Sequence, residues 1–235
     1  MASPVLITTA ISPPSGVHVL HMTSSAKRII TCKGGIFFFA ASGADRIVVA
    51  DATGQLVLSA KEVSLLHNMG VIVEQITYVQ DNNEILAKGK GYAEGKLMKF
   101  AIENSNILRD APRFYKCTGK MYCRNFFILE QQLNPSSDYN MFWTSPATND
   151  SVDTRFFLTS KKFWLDHLLP AYETCNDFEN RTAEGVALAL VREKLLPGNT
   201  TRPLLAGFSG SCDSAYVDHG LGHYDYHAHC FHGHV

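Results

Sequence analysis

The strongest evidence for the fold is the segment KGKGYAEGKLMKFAIENSNILRDAPRFYKCTGKMYCR, residues 88–124. It begins as a loop rich in lysine and glycine, and an amphipathic helix follows until Pro112 ends it. Phe114–Thr118 is then a buried strand, and Thr118-Gly119-Lys120 turns away from its carboxyl end. Loop, helix, strand and turn in this order indicate one repeating unit of an α/β sheet.

Positive charge is concentrated at the two turns of this segment. Lys88 and Lys90 lie in the glycine-rich loop, and Lys120 lies in the turn after the strand. Gly89 and Gly91 let the backbone approach a ligand closely, and ligands of open α/β sheets bind beside the carboxyl ends of the strands. Two cationic turns at one crevice predict an anionic ligand, most simply a diphosphate.

The rest of the chain alternates in a similar way. The order before the glycine-rich loop is β-α-β-α-β, and further strands and helices follow residue 124. The predicted strands are 5–8, 47–50, 71–79, 114–118, 141–144, 153–158 and 204–208, and the predicted helices are 26–41, 60–69, 95–108, 160–169 and 182–195. This is the pattern of a doubly wound, mostly parallel sheet.

Composition narrows the class of protein. A chain of 235 residues fits one α/β domain, and a net charge of −1 argues against nucleic acid or an anionic membrane as partner. The six cysteines form no CxxC pair, which favours reduced core residues. The longest apolar run, Ile36–Ala41, is too short to span a bilayer. Because the N-terminus lacks a signal-peptide pattern, we expect a cytoplasmic protein.

Asp51 ends the second predicted strand, before the turn Ala52-Thr53-Gly54. An acidic residue at this place often accepts hydrogen bonds from a ribose or a base. A plain turn aspartate explains the position equally well, so both interpretations stay open.

The glycine pattern GKGYAEG is a poor match to a dinucleotide-binding fingerprint. Its last spacing is one residue too long, and it follows the third predicted strand rather than the first. A dinucleotide-dependent oxidoreductase is therefore a lower-ranked alternative.

Several short motifs, taken in order, resemble one group of enzymes. LITTAISP, RIVVAD, KGKGYAEG, FYKCTGK, DTRFF and GFSGS occur between residues 4 and 216. Their order is similar to that of bacterial and large-virus glycosyltransferases with the GT-A fold, among them the capsid-glycan transferases of large algal DNA viruses. The recurring motifs of that group are a GKGYGEG-like loop and a K-x-TGR-like turn.

The resemblance implies a GT-A-type α/β domain over residues 1–216, with a central, mostly parallel, twisted sheet and helices on both faces. Residues 217–235 then form a separate histidine-rich tail. The implied activity is transfer of a sugar from a nucleotide-sugar donor, most simply a UDP-sugar, to a saccharide or glycoprotein glycan. A nucleotide- or carbohydrate-binding module without turnover is the main alternative.

The resemblance also assigns residues to the nucleotide and donor sugar. Thr8 and Thr9 line the nucleotide pocket, and Asp51 holds the base or ribose. The residues expected to border the diphosphate or donor sugar, or to replace the metal motif beside it, are Lys88, Lys90, Gly91, Glu94, Thr118, Gly119 and Lys120. Arg155 pairs with the diphosphate or with a neighbouring acid.

The chain departs from the GT-A pattern where most of these enzymes carry an Asp-x-Asp metal motif. No acid pair follows the strand 114–118; Lys120 stands there in place of the group's arginine, and Ala93 replaces a loop glycine. A lysine repels a divalent cation and can itself stabilise the departing diphosphate. We therefore expect catalysis without a metal cofactor, with Mn²⁺ as the alternative.

An inverting transfer needs a carboxylate that accepts the proton of the acceptor hydroxyl. Asp153 opens the DTRFF strand, and Glu184 lies at the start of an apolar helix, where the helix dipole favours its charged form. These two are the predicted catalytic residues, and Asp177 and Glu179 are further candidates.

The tail holds six of the ten histidines: His219, His223, His227, His229, His232 and His234. Three interpretations stay open. The tail supplies a metal ligand to the site, binds zinc together with Cys230, or is a flexible accessory end.

Overall fold

The structure is a computed structural model and describes residues 2–18, 20–133, 136, 139–143, 152–194, 201–210 and 213–217. The strands are β1 Val5–Thr9, β2 Arg46–Asp51, β3 Ile72–Thr77, β4 Arg113–Thr118, β5 Met121–Cys123, β6 Phe156–Ser160, β7 Leu205–Ser209 and β8 Ser214–Val217. The α-helices are α1 Ser25–Ala41, α2 Ala60–Asn68, α3 Asn82–Lys88, α4 Lys90–Asn104, α5 Asn106–Asp110, α6 Phe126–Gln131, α7 Lys161–Phe163, α8 Leu169–Glu173 and α9 Ala183–Val191.

The central sheet has the strand order β3-β2-β1-β4-β6. β1 pairs in parallel with both β2 and β4, and β6 joins the edge antiparallel to β4. The direction in which strands are added reverses between β1 and β4, and such a switch point opens a crevice at the carboxyl ends of the strands. The crevice therefore lies between Thr9 and Thr118.

Alternating side chains of the strands feed two hydrophobic cores, one on each face of the sheet. In β1, Val5 and Ile7 pack in the core that contains Ile36 of α1 and Leu66 of α2. Leu6 packs on the opposite face, in the core that includes residues of α4, α8 and α9. Because both faces are covered, β1 and β2 are buried at all but one position, as inner strands of a parallel sheet require.

A second, smaller sheet has the strand order β5-β7-β8 and forms one wall of the crevice. The backbone N–H of Phe208 in β7 donates to the Lys120 carbonyl at 2.8 Å. Gly207 has a φ of 138°, and a Cβ there would lie 2.1 Å from the same carbonyl oxygen. Only glycine permits this close approach, so β7 fixes the position of the turn that precedes β5.

The predicted fold class is confirmed: the sheet is mostly parallel, and helices cover both faces. The prediction of a glycine-rich loop at 88–95 is wrong, since this segment is helical. Lys88 ends α3, Gly89 turns the chain with a φ of 92°, and α4 begins at Lys90. Asp81 is the N-cap of α3.

The second half of the chain differs from the prediction at its boundaries. The strand expected at 153–158 is β6, shifted to Phe156–Ser160. Of the strand expected at 141–144, residues 141–143 are described, and Met141 forms an isolated bridge with Leu158 there. The helix expected at 160–169 continues to Glu173 through a π-helical turn at Trp164–Leu168. The histidine-rich tail lies outside the described residues, apart from Val217 in β8. No helix in the described ranges is long and apolar enough to cross a membrane.

The packing of α4 against α8 generates a stability prediction. A Cβ on Gly95 of α4 would lie 2.6 Å from the Cβ of Tyr172, so Gly95→Ala forces the two helices apart. We expect the free energy of unfolding to fall by roughly 1–3 kcal/mol, measured by urea denaturation. Gly34→Ala in α1 is the control, because a Cβ there meets nothing within 4 Å. It should stabilise the protein by roughly 0.5–1 kcal/mol. Equal effects of the two changes would contradict the α4–α8 packing.

Candidate active site

A cavity of about 630 Å³ opens at the carboxyl ends of β1 and β4. Its walls come from the loop after β1, the first two turns of α4, the turn after β4, the entrance to β6 and the start of α9. The charged residues that line it are Arg28, Lys90, Glu94, Lys120, Arg155, Asp177 and Glu184. Its volume lies within the range of ordinary ligand sites.

The turn after β4 is held from three sides by backbone hydrogen bonds. Thr118 N–H donates to the Arg155 carbonyl at 2.8 Å, and Gly119 N–H donates to the Thr8 carbonyl at 2.7 Å. The Lys120 carbonyl accepts from β7, as described above. Gly119 is required here, because a Cβ would lie 2.9 Å from the Thr8 oxygen. The turn is therefore rigid, and it presents Thr118 and Lys120 to the cavity.

Lys120 is the half-buried cation of this turn. Its ammonium lies against Gly210, where a Cβ would be 2.9 Å from Nζ. Burial and the nearby charge of Arg28 lower the pKa of Lys120 to about 8, with Glu94 opposing the shift. Lys120 lines the cavity, at the turn from which the sequence predicts a ligand contact; its predicted role in place of a metal stays a prediction.

Arg28 lines the cavity but is not among the site residues predicted from the sequence. It belongs to α1, is 2% exposed, and donates from Nε to the Met22 carbonyl and from Nη1 to the Ala10 carbonyl, both at 2.7 Å. Its Nη2 is buried and makes no hydrogen bond in the described part of the chain. Burial lowers the pKa of Arg28, and Asp51 and Asp213 partly offset that effect.

Lys116 lies in the middle of β4 and is completely buried. Its ammonium donates to Glu94 Oε1 at 2.7 Å, to Thr118 Oγ1 at 2.9 Å and to the Thr154 carbonyl at 2.6 Å. All three of its protons are therefore used. Glu94 Oε1 also accepts from Thr8 Oγ1 at 2.8 Å, so this network joins β1, β4 and α4 beneath the cavity.

Glu184 is positioned by the same network. It lies in the first turn of α9, which Thr182 caps, and its Oε1 accepts from Thr154 Oγ1 at 2.7 Å. The Thr154 carbonyl in turn accepts from Lys116. Of the three described carboxylates that line the cavity, Glu94 and Glu184 thus each have one oxygen held by a neighbour in this network.

Asp153 lies beside the cavity but does not line it. Its two oxygens accept from Nε and Nη2 of Arg155 at 2.8 and 2.7 Å. Burial opposes the charged form of Asp153, but the charge and hydrogen bonds of Arg155 hold its pKa below the usual value. Of the two partners predicted for Arg155, the structure shows the neighbouring acid; its guanidinium also stacks over the Tyr216 ring at 4.5 Å. These contacts show that Asp153 holds Arg155 in place; its predicted role as the base stays a prediction.

The start of α4 is fixed by Asp177, whose Oδ2 accepts from the Lys90 backbone N–H at 2.7 Å. Gly91 packs so closely that a Cβ would lie 3.2 Å from the Ala183 nitrogen, and this contact draws α9 towards α4. Lys90 and Gly91 line the cavity, as the prediction requires. Lys88 does not line it: its ammonium lies over the Tyr92 ring, 4.1 Å from the centroid.

Asp51 is buried, and it shapes the loops at the cavity rather than lining it. Its Oδ2 accepts from the Ile11 N–H at 2.8 Å. Its Oδ1 accepts from the N–H of Thr53 at 2.8 Å, from the Thr53 hydroxyl at 2.6 Å and from the Gln55 N–H at 3.0 Å. These contacts are those of the turn aspartate, one of the two interpretations left open by the sequence. The neighbouring residues Ala52 and Thr53 line the cavity instead.

The residues of the turn 118–120 do not fit a divalent cation. The turn offers a hydroxyl, a glycine and an ammonium, and no carboxylate. Within the described ranges, no group of three or more His, Cys, Asp or Glu side chains is arranged to hold a metal ion. The histidines of the tail lie outside those ranges.

Comparison with known proteins identifies the fold. No protein family matches the sequence, and no curated protein matches it either. The glycosyltransferase GlyE of Streptococcus pneumoniae TIGR4 superposes with a TM-score of 0.52 and 10% identity, over 83% of this chain and 44% of GlyE. The galactosyltransferase LgtC, solved with donor and acceptor sugar analogs, superposes with a TM-score of 0.51 and 10% identity, over 81% of this chain and 72% of LgtC. The chain therefore has the GT-A fold and spans less than half the length of GlyE.

The buried ion pair generates the second prediction. Lys116→Met leaves the Glu94 carboxylate without its cation, and we expect the free energy of unfolding to fall by roughly 3–5 kcal/mol. The double variant Lys116→Met/Glu94→Gln should recover part of this loss, because the unpaired charge is removed. Lys99→Met is the control, since Lys99 and Glu173 form an exposed pair at 3.9 Å, worth roughly 0–1 kcal/mol. Urea denaturation in which Lys116→Met costs no more than Lys99→Met would contradict the role of the pair.

Proposed function

We propose that this protein is a glycosyltransferase that moves a sugar from a nucleotide-sugar donor, most simply a UDP-sugar, to a saccharide acceptor. The observation that carries the proposal is the set of charged side chains that line one cavity of a GT-A sheet. The cations Lys120 and Arg28 and the carboxylates of Glu94 and Glu184 all line it. The ordered motifs that resemble glycosyltransferases support the same activity.

The cations that line the cavity fit the leaving group. During transfer the bond between the anomeric carbon and the diphosphate breaks, and its electron pair leaves with the diphosphate oxygen. An ammonium placed at that oxygen stabilises the developing charge and needs no reorganisation at the moment of reaction. Lys120 is suited to this role because the turn that carries it is fixed on three sides.

The carboxylates of Glu94 and Glu184 fit the two sugars. In an inverting transfer, the acceptor oxygen attacks the anomeric carbon while a carboxylate accepts the hydroxyl proton. Glu184 lines the cavity, its Oε1 is held by Thr154, and its Oε2 makes no hydrogen bond within the described residues. We assign the base to Glu184, and we assign to Glu94, held by Lys116 and Thr8, the binding of donor-sugar hydroxyls.

Glu184→Gln tests the assignment of the base. We expect kcat to fall by roughly 10²- to 10⁴-fold, because the amide cannot accept the proton, while the dissociation constant of UDP stays close to that of the wild type. Turnover is followed by release of UDP from a panel of UDP-sugars with saccharide acceptors. Asp153→Asn should act through Arg155 and reduce kcat less.

Glu179→Gln provides the matched control. Glu179 lies five residues before Glu184 in an exposed ion pair with Arg181, 2.7 Å apart. Its substitution should leave kcat unchanged. Full activity of Glu184→Gln would contradict the assignment and move the test to Asp177. Binding of UDP by the wild type without transfer or slow donor hydrolysis would instead identify a binding module.

Transfer without a divalent metal is the second expectation from this site. After exhaustive treatment with EDTA, the initial rate should equal the rate with added Mn²⁺ or Mg²⁺, because Lys120 stands at the position of the metal motif. At 4 Å and an effective dielectric constant near 20, the ammonium would repel a unit positive charge by about 4 kcal/mol and a divalent cation by about twice that amount.

The histidine-rich tail requires a parallel measurement on a chain that ends at Val217. Equal rates of both chains with and without metal support a leaving group stabilised by cationic side chains. A large loss on chelation that Mn²⁺ restores would contradict the proposed role of Lys120. If that loss occurs only in the full chain, the tail supplies the metal site.

A further inference from the structure

Arg28 and Lys120 are connected through one short series of contacts. The Lys120 ammonium packs against Gly210, and the Gly210 carbonyl accepts the backbone N–H groups of His21 and Met22 at 3.1 and 3.2 Å. The Met22 carbonyl in turn accepts from Arg28 Nε at 2.7 Å. Both side chains line the same cavity, although they come from α1 and from the turn after β4.

The two cations are not balanced by a hydrogen-bonded anion in the described part of the chain. Within the described residues, Arg28 donates to the carbonyls of Met22 and Ala10, and its Nη2 has no partner. Asp51 and Asp213 act on Arg28 only over distance, because their own hydrogen bonds go elsewhere. A buried guanidinium with spare donor capacity is costly to keep, and a ligand that carries negative charge removes that cost.

We propose that Arg28 is a second anion-binding residue of the cavity and that Arg28 and Lys120 together hold the diphosphate of the nucleotide donor. This inference rests on the proposed function for the identity of the ligand. A guanidinium and an ammonium offer charge-assisted donors to two phosphate groups at once. Because Arg28 also holds the loop after β1 through Ala10 and Met22, bound diphosphate should make that loop more rigid.

Calorimetric titration with inorganic pyrophosphate and with UDP, in the absence of metal, tests the proposal on the full chain. Arg28→Met should weaken binding of both ligands by roughly 10- to 100-fold, as the loss of one charged hydrogen bond implies. Arg28→Lys should weaken it less, because the charge is kept. Lys27→Met is the control: it removes the same charge from the next residue of α1, where Lys27 pairs with Asp213 at 2.6 Å. It should leave binding unchanged.

Lys120 keeps the proposal testable if Arg28→Met does not fold. Lys120→Met should also weaken the binding of UDP by roughly 10- to 100-fold. The groups that face Lys120 are Arg28 and Cys32 from α1 and Lys90 and Glu94 from α4. Since its pKa is lowered to about 8, the ammonium is present below that pH and is lost above it. UDP affinity should therefore decline as the pH rises above 8, and Lys120→Arg should abolish this decline because arginine stays charged.

The outcomes separate this inference from the proposed function. If the wild type transfers sugar but Arg28→Met and Lys27→Met bind UDP equally well, the inference is wrong and the proposed function stands. Binding of UDP and pyrophosphate that depends on Arg28 and Lys120, without any transfer, would support the inference and overturn the function. Failure of the wild type to bind either anion would overturn the inference directly.

Discussion

The ion pair between Lys116 and Glu94 is the interaction on which the site depends. Its ammonium is entirely withdrawn from solvent in the middle of β4, and its three protons reach α4, Thr118 and the residue before Arg155. A buried charge of this kind is stable only when every donor is satisfied. The geometry of the cavity floor is thus tied to the sheet itself, and the carboxylates of Glu94 and Glu184 are both placed through one lysine.

Two cations that line the cavity follow a different principle. Lys116 is fully compensated, whereas within the described residues Arg28 keeps an unused donor, and Lys120 has a lowered pKa. We therefore interpret the cavity as a site for an anionic ligand. In the proposed transfer, the cations serve the leaving group and a carboxylate serves the acceptor.

The sequence predicted the features that depend on periodicity and on strand ends. The mostly parallel sheet and the turn at Thr118–Lys120 follow from apolar runs and from the rule that sites lie at carboxyl ends of strands. The helical start of α4 was missed because glycines at 89, 91 and 95 indicate a loop. Gly89 does turn the chain, but packing against Cys175 and Tyr172 requires Gly91 and Gly95 within the helix. Lys116 carried a usable signal, a charge inside an apolar strand. Arg28 carried none, since its importance arises only when the loop after β1 folds back onto α1.

A crystal structure of the full chain with UDP, grown without added metal, tests the central claim most directly. We expect the nucleotide in the cavity at the ends of β1 and β4, with diphosphate oxygens within about 3.2 Å of Lys120 Nζ and Arg28 Nη2. A diphosphate bound elsewhere, or held by a metal ion that the histidines of the tail coordinate, would contradict it.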